Sequence, residues 1–262
     1  MRFGGEAKPN GWGFGAPGVS RTGKTVSTDL PIPFDLPRTT AAQRARAGEI
    51  LKALAAEYPD AHCELTHSSP HELLIATILS AQTTDVSVNK ATPALFKRFR
   101  KPADFAAATP EEIEPYIRSL GFFRMKAKAI HESMKVLVEK FGGQVPRTMD
   151  ELLSLRGVAR KTANVVLGNA FGINHGVVVD THVERLSKRF ALAQPKDTVQ
   201  AIERKLMALF PRDRWCDLSH LLIFHGRRAC KARGAKCDHP ICGRFGSACE
   251  NRVSPSKKRR ST

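Results

Sequence analysis

Three groups of residues carry the types and spacing that chemistry requires. The first is Lys161, one turn into an apolar helical run that starts near Arg160. A lysine amine becomes a nucleophile when burial or the positive end of a helix lowers its pKa and leaves some neutral amine near pH 7. A solvated surface lysine is the plainer reading of the same position. The second is Asp180, nineteen residues further on, after Val177-Val178-Val179 and beside a helix start. A carboxylate there caps a helix; next to a lysine it also stabilises a cation or steers a proton. Spacing alone does not bring the two together.

The third group is Cys230, Cys237, Cys242 and Cys249, spaced C-x6-C-x4-C-x6-C. Residues 1–40 contain no apolar h-region, so a secretory signal is not expected and a disulfide framework is disfavoured. Zinc usually takes its ligands as tight pairs from two knuckles. Here one loop supplies all four and no pair is closer than four intervening residues, which suits the separated irons of an iron–sulfur cube better. Zinc, or no metal, stays open on spacing. The loop also carries Lys231, Arg233, Lys236 and Arg244, cations suited to phosphates. Cys63 and Cys216 read as ordinary buried thiols.

The element that must position Lys161 is a hairpin, Leu155-Arg156-Gly157-Val158-Ala159, set between two helical segments. Glycine at its centre can take φ > 0. The turn then points backbone N–H groups outward beside the positive end of the next helix, which runs to Phe171 before Gly172. Phosphate oxygens bind such a place without any base being read. Most helix–turn–helix sequences of this kind are only connectors.

The rest of the chain reads as all-α, with about ten helices. Ser69-Pro70-His71-Glu72, Thr109-Pro110-Glu111-Glu112, Thr148-Met149-Asp150-Glu151 and Thr181-His182-Val183-Glu184 each fit a capping box. Apolar residues at helical spacing follow, such as Ile130, Met134, Leu137 and Val138. Val177–Val179 alone cannot make a sheet and reads as a buried extended connector. No run approaches the ~18 apolar residues of a spanning helix, so no membrane role is expected.

Charge points to a polyanion. There are 42 Lys and Arg against 25 Asp and Glu, a formal net charge of +17. Residues 1–40 hold +2, residues 251–262 hold +5 and residues 41–250 hold +10, so most of the excess belongs to the part that folds. Nucleic acid is the simplest partner for a basic globule. Residues 1–40, rich in Gly, Pro, Ser and Thr, read as a disordered extension, and 251–262 as a basic disordered tail.

The combination resembles the endonuclease III family of helix–hairpin–helix DNA glycosylases. The resemblance rests on Leu-x-Gly-Val-x-Arg-Lys-Thr-Ala-Asn-Val-Val-Leu at 155–167, Val-Asp-Thr-His-Val at 179–183, Leu79 to Lys90, and the four-Cys loop. It implies a bifunctional DNA glycosylase and abasic-site lyase of base excision repair, acting on oxidised pyrimidines in duplex DNA. Lys161 would attack C1′ of an everted nucleotide and form a Schiff base, with β-elimination nicking the strand. Asp180 would activate the amine and stabilise charge at C1′. Gln82 would plug the gap and Phe122 would wedge the opposite strand; without the resemblance they read as a helix-end polar residue and a core aromatic. Arg156, Gly157, Val158, Ala159 and Arg160, with Lys231, Arg233 and Lys236, would contact DNA, and the four cysteines would hold a [4Fe–4S] cluster.

The sequence departs from the family pattern at several points. Arg156 and Ala159 stand where the family hairpin has Pro and a second Gly. The cysteine spacing exceeds the usual C-x6-C-x2-C-x5-C by three residues, which bulges around His239-Pro240 should absorb. Phe122 replaces an aliphatic wedge. Two helical domains are expected, a six-helix domain over 63–174 and a cluster domain joining 41–62 to 175–250, with Lys161 and Asp180 facing each other across the groove. A monomer is expected, cytoplasmic and nucleoid-associated in a bacterium, with a nuclear or mitochondrial place as the alternative. The rival readings are a monofunctional glycosylase, a weakly catalytic lesion-binding protein of the same fold, and a zinc-stapled DNA-binding module.

Overall fold

The computed structural model describes residues 31, 32, 34–233 and 238–249. Expectations for the first thirty residues, the basic tail, Lys236 and Cys237 lie outside the described residues. All regular structure among the described residues is helical. In chain order the helices are α1 (Ala41–Glu57), α2 (Pro70–Leu79), α3 (Asp85–Arg98), α4 (Pro102–Ala107), α5 (Pro110–Ile117) and α6 (Phe123–Phe141). Then come α7 (Met149–Leu153), α8 (Arg160–Phe171), α9 (Thr181–Arg189), α10 (Val199–Leu209), α11 (Trp215–Arg228) and α12 (Pro240–Phe245), with a 3-10 turn at Arg212–Arg214. Of these, α4, α7 and α12 have six residues or fewer, too short to mark a period in the sequence.

The helices sort into two groups by packing. Helix α2 lies against α3, α6 and α8, while α6 carries α4 and α5, and α7 rests on α8. Separately, α1 packs on α10, α11 and α12, and α9 on α10 and α11. Helix α11 also touches α8. The second group shares one apolar cluster, in which Ile50 and Leu54 of α1 meet Leu186, Leu206, Leu222 and Phe245. Each such buried side chain contributes roughly 1.5–3 kcal/mol. Val177–Val179 is buried and lies outside any helix, as its sequence suggests. The N-terminal boundary at residue 40 falls inside packed chain. Ile32, Phe34 and Leu36 lie partly buried against that cluster, and Thr40 caps α1.

The helix starts follow the sequence with local changes. Ser69 caps α2, accepting the Glu72 N–H at 3.3 Å, but Glu72 reaches back one residue further, to the Ser68 N–H at 2.6 Å. Glu112 returns to the Thr109 N–H at 2.7 Å. At Thr148 the carboxylate of Glu151 accepts from the hydroxyl at 2.6 Å rather than from the backbone. Thr181 is not a cap. Asp180 caps α9, its Oδ1 accepting from the N–H groups of His182 and Val183 at 2.8 Å each, which makes Thr181 the first helical residue. A carboxylate with two amides at the positive helix end is the stronger cap. The expected bulge around His239-Pro240 is instead the start of α12. Pro240 stands at its first position, where no N–H is needed, and His239 accepts from the Ile241 N–H at 3.3 Å. Val138, expected on an apolar face, is 37% exposed.

Candidate active site and metal centre

The hairpin between α7 and α8 closes through the Val158 N–H to the Leu155 carbonyl, 3.2 Å. Gly157 has φ 78, and a Cβ on it would stand 3.2 Å from the Cβ of Ala129. Glycine is therefore required twice, for the backbone angle and for the seat on α6. The Ser133 hydroxyl donates to the Arg156 carbonyl at 2.7 Å and ties the turn to the same helix. Ala159 lies at φ −95 and ψ 170 as the residue before α8. That is extended backbone, so alanine there distorts nothing. Arg156 is exposed and paired with both oxygens of Glu132 at 2.9 and 2.7 Å. Arg160 turns away from the hairpin. Its Nε donates to both Glu203 oxygens at 3.0 Å, and its guanidinium stacks on the Phe34 ring.

Lys161 is exposed at the second position of α8, inside the helix's positive end. The Oδ2 of Asp180 takes no hydrogen bond from the described residues. A third group reports on both. Burial pushes the Asp85 carboxyl above the usual carboxylate range, and the negative charge of Asp180 adds to this, while the charges of Lys161 and His182 pull it back. Lys161 and Asp180 thus each sit within electrostatic reach of Asp85. Asp85 opens α3 and pairs with Arg227 of α11 at 2.7 Å; Arg227 also meets Glu64. Asp85 and Arg227 escape sequence reasoning. An acid in the first turn behind the Thr84 cap reads as a dipole residue, and Arg227 is 142 positions away.

Gln82 and Phe122 occupy tight turns at the starts of α3 and α6. Both are non-glycine residues in the left-handed region, at φ 53 and φ 58. Phe122 is 63% exposed, so the core reading of this aromatic is excluded. Strained backbone of this kind concentrates at functional sites.

The cysteines gather at the C-terminal end of α11, the end that also carries Arg227. Cys230, Cys242 and Cys249 are buried. The sulfurs of Cys230 and Cys242 and a ring nitrogen of His225 all lie within 4.8 Å of one another. Cys249 is outside that group and follows α12 on a turn closed by its own N–H to the Gly246 carbonyl, 3.0 Å. The Cys230 thiol is held below the usual thiol range, first by the hydrogen bond from Cys242, then by Arg189, whose Nη1 donates to it at 3.1 Å. Arg185 holds the Cys230 carbonyl at 2.9 Å. A buried, sulfur-rich donor set with cations beside it fits a thiolate-bound metal group. His225 is the member that spacing did not reveal. Its Nε2 lies 3.1 Å from the Cys242 sulfur and its Nδ1 2.8 Å from the Tyr58 hydroxyl. Elsewhere Lys231 and Arg233 are exposed, while Arg244 pairs with Glu49 at 2.7 Å. Burial pushes the Cys63 and Cys216 thiols up, to about 11 and about 12, as inert thiols require.

Comparison with known proteins places this geometry. The family model of the HhH-GPD superfamily of base excision DNA repair proteins matches residues 75–212. Endonuclease III of Synechocystis sp. is 52% identical over 206 residues, 79% of this chain and 91% of the relative. The solved structure of a trapped endonuclease III–DNA covalent intermediate matches with a TM-score of 0.72 at 45% identity, covering 78% of this chain and 94% of the other. A non-covalent endonuclease III–DNA complex matches with a TM-score of 0.74 at 44% identity, covering 80% and 97%.

Proposed function

Because this chain belongs to the HhH-GPD superfamily of base excision DNA repair proteins, we infer that it is a bifunctional DNA glycosylase and abasic-site lyase. Its substrates are duplexes bearing oxidised pyrimidines or abasic sites, met, in a bacterium, in a cytoplasmic, nucleoid-associated setting. The observation that carries this reading is the exposed Lys161 in the first turn of α8, directly behind the Gly157 hairpin, with Lys161 and Asp180 both in electrostatic reach of Asp85. The trapped covalent complex of a relative supports an enzyme nucleophile.

In this reading the outward N–H groups of the hairpin, from Gly157, Val158 and Ala159 to the first turn of α8, bind a phosphate, and Arg156 exchanges Glu132 for another. At Arg160 the backbone N–H contributes and the side chain serves the scaffold. The groove lies between the two groups of helices, 63–174 and 41–62 with 175–250. Gln82 fills the place of the everted nucleotide, whose removal from the stack costs a few kcal/mol, and Phe122 wedges the opposite strand. The Lys161 amine, deprotonated with help from Asp180, forms a bond to C1′ as the bond to the damaged base breaks. Asp180 faces the positive charge that develops at C1′. The C1′–O4′ bond then breaks as the C1′=N Schiff base forms, and loss of a proton from C2′ makes the C2′=C3′ bond while the C3′–O bond breaks and the 3′ phosphate leaves.

Cys230, Cys237, Cys242 and Cys249 are the residues that would hold a [4Fe–4S] cluster. A cluster held by them would staple the C-terminal loop, and Lys231, Arg233 and Lys236 of that loop would then meet phosphates. Zinc is the second reading, favoured by the mixed sulfur and nitrogen donors of Cys230, Cys242 and His225. A brown protein with about four irons and no zinc by metal analysis supports the cluster; a colourless zinc protein reverses the assignment.

The test of the reaction is borohydride reduction of the protein on duplexes that each carry one damaged base, with excision and nicking scored separately. Wild type should form a covalent adduct and Lys161→Ala should not. Excision without nicking or adduct would mark a monofunctional glycosylase, and tight binding to an abasic duplex with no turnover would mark a lesion-binding protein.

A further inference from the structure

A buried lysine lies beneath the two strained turns. Lys126 is 6% exposed, although it sits only one turn into α6. Lysine is almost never buried unless its charge is partnered. Burial alone holds this ammonium below the usual lysine range. A methionine could fill the same space without desolvating a charge, so packing does not account for the residue.

Its hydrogen bonds give a reason. The Lys126 ammonium donates to the Thr83 hydroxyl at 2.6 Å, across 43 positions of chain. The Thr83 hydroxyl donates onward to the Ala81 carbonyl at 3.3 Å, and the Thr83 N–H closes on the Ser80 carbonyl at 3.1 Å. Gln82 stands between Ala81 and Thr83, so this short chain of bonds clasps it in its left-handed conformation. At the other end the Lys126 N–H donates to the carbonyl of Phe122, 3.0 Å, the second residue held at positive φ. One residue therefore joins the two turns, its side chain bonded to the Gln82 turn and its backbone N–H to the Phe122 turn. Phe122 and Met125, three residues apart on the helix start, are 63% and 68% exposed and form one apolar tip above that joint.

We propose that Lys126 and Thr83 form a positioning clasp that fixes Gln82 and the Phe122–Met125 tip at one separation, so that both enter the duplex as a rigid unit. This rests on the functional reading above. Two tips that must enter opposite strands at one site in stacked DNA lose little entropy on insertion if their spacing is already set. Lys126 and Thr83 touch no reacting atom. They act through the residues they hold.

The test uses Thr83→Val, which removes the hydroxyl at nearly constant volume, Thr83→Ser, which keeps it, and Lys126→Met. The probe is a duplex with an abasic analogue opposite 2-aminopurine, whose fluorescence rises when that base is unstacked. Excision of an oxidised pyrimidine is measured at saturating DNA alongside nicking of a preformed abasic site. Thr83→Val and Lys126→Met should melt near wild type, yet lose about tenfold in unstacking and in the excision rate, the scale of one charge-assisted hydrogen bond. Nicking of the preformed abasic site should fall much less, and Thr83→Ser should restore the excision rate. If Lys126→Met fails to fold, Thr83→Val carries the comparison. Wild-type unstacking and excision in Thr83→Val would overturn the clasp. A wild-type protein that neither unstacks nor excises on any duplex would instead overturn the functional reading on which the clasp rests.

Discussion

Lys161 and Asp180 differ in how much of their function their own position explains. Asp180 has a structural task that any sequence reader would assign it, since it caps α9 with one oxygen. The other oxygen is the one available for chemistry. The two roles separate experimentally. Asp180→Asn keeps a capping oxygen and should cost well under the ~1 kcal/mol expected of Asp180→Ala in urea unfolding. Both should lower single-turnover excision by about 10²–10⁴-fold, the range for a lost acid–base group. Thr181→Ala should leave stability near wild type, because Thr181 is not the cap. His220 offers a prediction away from the site. Burial lowers its pKa to about 4, and its Nε2 lies 2.7 Å from Asn169 Oδ1. The folded protein keeps this ring neutral while the unfolded chain protonates it near pH 6.5. The unfolded state therefore binds the extra proton between about pH 6.5 and 4, and stability falls as pH falls through that window, by up to about 3 kcal/mol. His220→Gln should flatten the dependence of the urea midpoint on pH by about one proton.

At the scale of the element, the hairpin is the clearest case of a local rule. Gly157 meets two demands, positive φ and contact with Ala129. Gly157→Ala should cost about 1–3 kcal/mol of stability and weaken binding even to undamaged duplex, measured by unfolding and by anisotropy. Ala159 stands where related hairpins carry a second glycine, yet its backbone is extended. Ala159→Gly should therefore leave DNA affinity unchanged within about twofold. The two arginines of the hairpin were indistinguishable in sequence. Arg156 belongs to an exposed ion pair with Glu132, which contributes roughly 0–1 kcal/mol and can be exchanged for a phosphate. Arg160 belongs to a largely buried pair with Glu203 under the Phe34 ring and cannot be exchanged at small cost. Helix starts were legible for the same reason the hairpin was. A hydroxyl or carboxylate and the amides it satisfies lie within four residues, so the sequence carries both partners of the bond.

For the whole molecule, the basic excess is unevenly available. Arg244, Arg156 and Arg160 are paired with glutamates, whereas Lys231 and Arg233 at the end of α11 are exposed. Neutralising Lys231 or Arg233 should reduce the slope of log K against log salt by about one, with lesion preference unchanged. Arg160→Ala should instead lower stability more than it changes that slope. The two groups of helices are joined by α11 on α8 and by Arg227, which pairs with Asp85 of α3 and with Glu64. That junction stands beside Lys161 and Asp180, so the packing of the helix groups and the geometry of the site are one property.

The sequence by itself determined the helical class, the hairpin and most of the cap residues. These depend on residues a few positions apart, where the chain's own geometry decides what can meet. Only the tertiary structure decided that Asp85 meets Arg227, that Lys126 reaches Thr83, and that His225 joins Tyr58 to Cys242. Such partners are separated by tens to more than a hundred residues. They are chosen by how whole helices pack, a sum over many apolar contacts that leaves no local mark on either residue.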